Sequence, residues 1–195
     1  MSAISQAILD TCKMAEELLD KNDFLVGAGI PAKKAANLAQ SCAAEGVTVA
    51  ASEFLAIIDC TVFGSCKNGL GLGENGIYTH NDWSANCAGG FVPWSDLFAN
   101  GHVRETAPNE VRFLRARRIG IDLSGSDVNC GECIKLFGQL REALAPLLGT
   151  PDPSFAPDSA ERAGAEVGMW TCAWCGRSNN AVVRCSGCGA PLSGP

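Results

Sequence analysis

A chain of 195 residues that is 47 % apolar and 18 % charged has the length for one ordinary domain plus a remainder and enough apolar content to pack a core, which excludes two large domains and global disorder. Its net charge of −6 is unevenly spread, with 12 Lys/Arg against 17 Asp/Glu in residues 1–150, 1 against 4 in 151–169 and 2 against none in 170–195; an acidic body disfavours capture by a nucleic-acid backbone or an anionic membrane. No apolar run approaches the ~20 residues of a bilayer crossing, the first twenty residues are unlike a signal peptide, and the eleven cysteines are odd in number, so the expectation is a cytoplasmic chain whose thiols in part bind metal.

Ile4, Ile8, Cys12, Ala15 and Leu19 recur at steps of three and four and predict a first helix. Pro31 suits a helix start, and Ala35, Leu38 and Cys42 continue a second helix to about Ala44, completing an N-terminal helical hairpin. From Phe54 the pattern turns to short apolar runs broken by glycine and turn residues, which predicts strands over 54–61, 70–72, 77–78, 88–92, 99–104, 111–116 and 118–123. The hairpin at Glu74-Asn75-Gly76 is the best marked, because Asn and Gly both tolerate the positive φ of tight turns. After Ser124-Gly125-Ser126, residues 127–148 resume helical spacing through Cys130, Cys133, Phe137, Leu140, Leu144 and Leu147, ending at Gly149 and Pro151. Residues 150–169 are rich in Pro and Ala without apolar periodicity and read as a flexible linker between a body, 1–149, and a C-terminal module, 170–195.

Two helices, about seven antiparallel strands and one closing helix predict an α+β fold. The run Phe54-Leu-Ala-Ile-Ile-Asp-Cys-Thr-Val-Phe-Gly-Ser, the Gly-led strand after it, the turn and the Ile77-Tyr78 strand resemble bacterial pleckstrin-homology-like domains over about residues 30–148. The resemblance implies a bent sheet or open barrel closed by the C-terminal helix, and a scaffold that binds partners instead of catalysing reactions.

The strongest chemical signal is Cys172-x2-Cys175, nine residues, then Cys185-x2-Cys188. Zinc takes four tetrahedral soft ligands, and two residues between paired cysteines let one tight turn aim both sulfurs at the same ion. A module of this size buries too little surface to fold unaided, so one structural Zn2+ would supply the missing stability. Trp170, Cys172, Cys175, Asn179, Cys185 and Cys188 together resemble the Ran-binding-protein type of zinc finger. The resemblance implies binding of ubiquitin or single-stranded RNA. Ubiquitin binders of this type carry Thr-Phe after the second cysteine, where this chain has Gly176-Arg177. RNA binding would use Trp170, Trp174, Arg177 and Arg184 for stacking and charge; the competing reading is a scaffold tryptophan and solvated arginines.

Four weaker patterns remain. Cys130-Gly-Glu-Cys133 at a helix start is the motif of a thiol-disulfide oxidoreductase, against which both cysteines fall on the apolar stripe and read equally as core filler. Arg112, Arg115, Arg117 and Arg118 form the basic cluster of the body, able to receive an acidic peptide, a phosphate or a headgroup, or else to serve as a solvated sheet face. His80 and His102 have the neighbours of solvated turn residues, which disfavours histidine-dependent catalysis, and Gly69-Leu-Gly-Leu-Gly73 leads into a strand instead of a phosphate-binding helix. The expected function is thus that of a non-enzymatic adaptor whose partner is a protein, with nucleic acid secondary and lipid disfavoured.

Overall fold

The computed structural model describes residues 1–19, 21–84, 86–114, 118–149, 169–171 and 178–180. The chain divides into two compact units, Met1–Pro151 and Asp152–Pro195.

In the first unit, helix α1 (Ala3–Leu19) starts where the Ser2 hydroxyl accepts the Ser5 amide at 3.0 Å, and it buries Ile8, Leu9, Cys12 and Ala15 along the predicted stripe. Strand β1 (Phe24–Val26) follows and pairs antiparallel with β2 (Phe54–Asp59), Phe24 opposite Ile58. Between them, α2 (Ala32–Ala44) buries Ala35, Leu38 and Cys42. The sheet continues antiparallel through β3 (Gly69–Gly73), β4 (Gly76–His80) and β5 (Gly90–Pro93), in the order β1-β2-β3-β4-β5.

Every residue of β3 and β4 is buried, because this sheet is covered on both sides. One core gathers α1 residues with Ala56, Ile58, Leu70, Leu72 and Ile77, and the other gathers α2 residues with Phe54, Ile57 and Tyr78. The alternating glycines of β3 follow from that crowding: a Cβ on Gly71 would fall 2.4 Å from the Phe54 ring and 3.2 Å from Leu38. The run is a packing device, not a phosphate loop.

The hairpin forms where the sequence places it, but its glycine has another job. Gly73 pairs with Gly76, leaving Glu74-Asn75 as the turn, and neither of these has positive φ. Gly76 is needed because a Cβ there would lie 2.2 Å from the Val92 carbonyl of the neighbouring strand. The Ser5 hydroxyl donates to Glu74 at 2.7 Å and ties α1 to this turn.

A short helix, α3 (Trp94–Asn100), occupies the segment just before the expected strand at 99–104, which starts instead at Gly101. Trp94 and Leu97 bury one face of α3, and the Trp94 indole N–H donates to the Gly73 carbonyl at 3.0 Å. Strands β6 (Gly101–Ala107), β7 (Glu110–Leu114) and β8 (Gly120–Asp122) form a second antiparallel sheet, and a parallel bridge from Ala88 to Ile119 joins β8 to the segment before β5. Among the described residues the unit therefore holds eight strands in sheets of five and three, where the sequence predicted about seven and the resemblance implied a bent sheet or open barrel.

Helix α4 (Cys130–Leu148) is capped by Asn129, whose side chain accepts the Glu132 amide while Glu132 accepts the Asn129 amide, a reciprocal capping box. The expected cap at Ser124-Gly125-Ser126 lies upstream in turn structure. Gly149, with φ 76°, ends the helix as predicted. Helix α4 packs on α1 and on β6 and β7, burying Leu136, Phe137, Leu140 and Leu144. The Asp127 amide donates to Asp23 at 2.9 Å and the Asn22 amide to Asp127 at 3.0 Å, joining the two helices' approaches. Among the described residues, no helix is long and apolar enough to cross a membrane.

The second unit contributes one described hairpin. Strands β9 (Met169–Thr171) and β10 (Ser178–Asn180) pair antiparallel, with Trp170 opposite Asn179. The linker expected over 150–169 lies outside the described residues except for Met169.

Candidate functional site

The best-built polar centre of the first unit is the β2–β3 connection. Asp59, fully buried at the end of β2, accepts from the Thr61 amide at 2.9 Å, the Thr61 hydroxyl and the Cys66 amide at 3.1 Å through one oxygen. Its other oxygen lies 2.8 Å from Lys34 Nζ on α2. The Thr61 hydroxyl in turn accepts the Ser65 amide at 2.7 Å, and the Asn37 side chain donates to the Ser65 carbonyl at 2.7 Å. The carboxylate is held by hydrogen bonds on one oxygen and the Lys34 ion pair on the other, and the loop it organises is fixed at both ends and to α2.

What that fixed loop carries is apolar. Phe63 at its tip is 96 % exposed and Val62 is 69 % exposed. Trp83, 51 % exposed, comes from the β4–β5 connection and lies against Gly125, where a Cβ would sit 2.2 Å from the Cys60 carbonyl and 2.8 Å from the indole. Three large apolar side chains are thus presented to solvent by neighbouring connections of one rigid end of the sheet.

His80 is not the solvated turn residue its neighbours suggest. It lies on β4, only 5 % exposed, with Nδ1 2.9 Å from the Lys67 carbonyl and 3.1 Å from the Asn68 side chain. Nε2 faces Glu45 at 3.6 Å and Asp82 at 3.4 Å. The ring bridges three connections, and Asn81 and Asp82 follow the strand end instead of signalling exposure of the histidine itself. His102 lies on β6.

The cysteines of the first unit, seven in number, are all buried and free. Burial pushes the thiols of Cys12, Cys42 and Cys66 up to about 12, with the neighbouring carboxylates Glu16, Glu45 and Asp59 adding in the same direction. Cys130 and Cys133 behave likewise: burial raises both, Glu105 adds to Cys130, and Cys133 is wholly enclosed. A redox nucleophile needs a lowered thiol pKa and access. In this pair burial acts in the opposite direction, although it stands at the start of α4.

Of the arginine cluster, Arg112 lies on β7 and donates to the Asn86 carbonyl at 3.2 Å, while Arg118 precedes β8 with φ 56°. Arg115 and Arg117 lie outside the described residues. Arg112 is therefore a clasp on the β4–β5 connection, not a member of a purely solvated face.

In the second unit the β9–β10 register brings Trp170 and Asn179 directly opposite each other. The residues between the two strands, 172–177, include Cys172, Trp174, Cys175 and Arg177, and these together with Arg184, Cys185 and Cys188 lie outside the described residues. Among the described residues, no group of three or more His, Cys, Asp or Glu is placed to hold a metal ion.

No family model, curated protein or solved structure matches this chain.

The elements that sequence reasoning missed are Asp59, Val62, Phe63 and Trp83. The Asp59-x-Thr61 pair, a side-chain-capped turn signal, was the cue that an ordered turn and not a continuing strand follows Ile58.

Proposed function

We propose that this protein is a non-enzymatic adaptor in which a pleckstrin-homology-like body docks a protein partner through the Val62-Phe63 loop, while a four-cysteine zinc module makes a second contact. The observation that carries this reading is the nearly fully exposed Phe63 on a loop locked by Asp59. A partner with an apolar pocket fits such a side chain, since a buried aromatic anchor is the commonest source of interface energy.

The pleckstrin-homology-like reading draws support from the order of four antiparallel strands β2 to β5, three antiparallel strands β6 to β8 and a closing helix α4 that packs on the smaller sheet. Strand β1 and helix α1 are additions to that plan. For the second unit, four thiols in doubled C-x2-C spacing are the donor set zinc prefers, and the paired strands β9 and β10 flank the first two of them in the chain. Cys172, Cys175, Cys185 and Cys188 would hold the ion in a closed structural site, and two tethered contacts would raise overall affinity through effective concentration.

The test is a binding comparison among full-length variants. A partner recovered by the wild-type chain should bind Phe63→Ser at least tenfold more weakly, as expected for loss of an aromatic anchor. Capture unchanged by Phe63→Ser and Val62→Ser together overturns the docking assignment. In parallel, purified protein should carry about one zinc per chain, lost in Cys172→Ser; metal-free, folded wild-type protein removes the zinc module from the proposal.

A further inference from the structure

The first half of helix α2 carries two dissimilar flanks. On one, Ala32 and Ala35 border a cavity of about 400 Å³ whose walls also include Gly27, Ile30, Ala51 and Phe54. Glycine and alanine take most of these positions, so no long side chain fills the space, and exposed Ala32 and Ser52 mark where it opens to solvent. On the other flank, Lys34 Nζ lies 2.8 Å from Asp59 and the Asn37 side chain donates to the Ser65 carbonyl at 2.7 Å, which seats the loop bearing Val62 and the nearly fully exposed Phe63. At 3.6 residues per turn, Ala32 and Ala35 point about 160° away from Lys34 and Asn37, and the two pairs stand within one turn of each other along the axis. Hollow and loop are therefore anchored on opposite sides of α2 at nearly the same height. Lys33 rises on the exposed ridge between them, and Glu53 is exposed at the end of the turn Ala51–Glu53 beside the cavity. Neither of these charges has an ion-pair partner among the described residues.

We propose, building on the reading of Phe63 as an anchor, that its partner is a second copy of this chain, Phe63 of each copy entering the apolar cavity of the other. A twofold axis parallel to α2 exchanges the two flanks of the helix, so both insertions form at once and the contact closes as a dimer. The same rotation sets Lys33 of each copy within reach of Glu53 of the other and gives both unpaired charges a partner of opposite sign. An unrelated protein could meet one of these features; a second copy meets the aromatic anchor, the apolar hollow and the two charges together. Two phenylalanines and two valines fall short of the ~1,600 Å² of a standard interface, so the dimer is expected to be weak, with a dissociation constant on the order of 0.1 mM.

Sedimentation equilibrium of the full-length protein, over concentrations spanning that value, should show a reversible monomer–dimer equilibrium. Amide NMR over the same range should shift the Val62, Phe63 and Gly64 resonances together with those of Ala51 and Ser52. Phe63→Ser should weaken association at least tenfold. So should Ala32→Trp, which obstructs the mouth of the cavity from an exposed position and leaves the core untouched. Lys33→Glu, which sets a like charge against Glu53, should weaken it severalfold. All three positions are exposed, and an otherwise unchanged amide spectrum checks that each variant is folded. A wild-type chain still monomeric at about 1 mM overturns the inference and leaves Phe63 as an anchor to be judged by the capture comparison with Phe63→Ser. A dimer that both Phe63→Ser and Ala32→Trp leave intact overturns it as well.

Discussion

The reduced protein is expected to lose at least about 6 kcal/mol of stability between about pH 8 and pH 10, an unusually steep alkaline decline. The thiols of Cys12, Cys42 and Cys66 stand at about 12 in the folded chain and would ionise near 8.5 when unfolded. A group whose folded pKa is raised contributes its stability below the unfolded value and loses it as the pH climbs toward the folded one. Over this interval the unfolded chain sheds a proton from each thiol while the native chain keeps it, which costs about 2 kcal/mol per thiol. Cys60 and Cys133, also raised by burial, act in the same sense. Urea unfolding with a phosphine reductant measures the slope. Cys42→Ala should shrink the decline by about 2 kcal/mol whatever the variant's stability at neutral pH; a decline that Cys42→Ala leaves untouched would show that the thiols are not its source.

Asp59→Ala should cost about 3–5 kcal/mol, the penalty for breaking a buried ion pair and stranding its partner. Lys34 loses its carboxylate at 2.8 Å, and the Thr61 and Cys66 amides lose their acceptor. Asp59→Asn keeps one acceptor oxygen for the Thr61 and Cys66 donors and loses the charge and the oxygen that faces Lys34, so it should be milder than alanine. Hydrogen exchange of the Thr61 and Cys66 amides should quicken in the alanine variant, and partner binding through Phe63 should weaken as the loop loses its fixed shape. An Asp59→Ala protein within about 0.5 kcal/mol of wild type, inside the range of ordinary surface substitutions, would refute the role of Asp59 as organiser.

Period-based reasoning reaches the long elements because their burial repeats regularly. The stripe of α1, the Ala35-Leu38-Cys42 face of α2 and the Phe137-Leu140-Leu144 face of α4 all bury as their spacing demands. It fails where tertiary context decides. Strand β1 has three residues and exists because β2 pairs with it. Helix α3 has seven and is held by Trp94 reaching Gly73. Phe63 illustrates the limit for function: the strand expected over 54–61 stops just short of it, and only the turn around Asp59 places Val62 and Phe63 in solvent. Likewise, the partners of His80 lie on α2's C-terminal side and in two strand connections, a convergence that linear neighbours do not encode. The arginine cluster was visible as charge, but the clasp of Arg112 on the Asn86 carbonyl depends on where β7 brings it against the β4–β5 connection.

The pairing of α1 with α4, with Asp23 and Asp127 exchanging backbone contacts beside it, has a consequence for biosynthesis. Helix α1 is translated well before α4, although β1 and β2, which it also packs against, come soon after it. At ordinary elongation rates the part of its apolar stripe that meets α4 waits on the order of ten seconds for that partner, which exposes it to chaperones and to aggregation before the body can close. A circularly permuted chain that joins α4 directly to α1 would bring the two together within one helical hairpin, and should fold faster with an unchanged native structure because its closing contact becomes local.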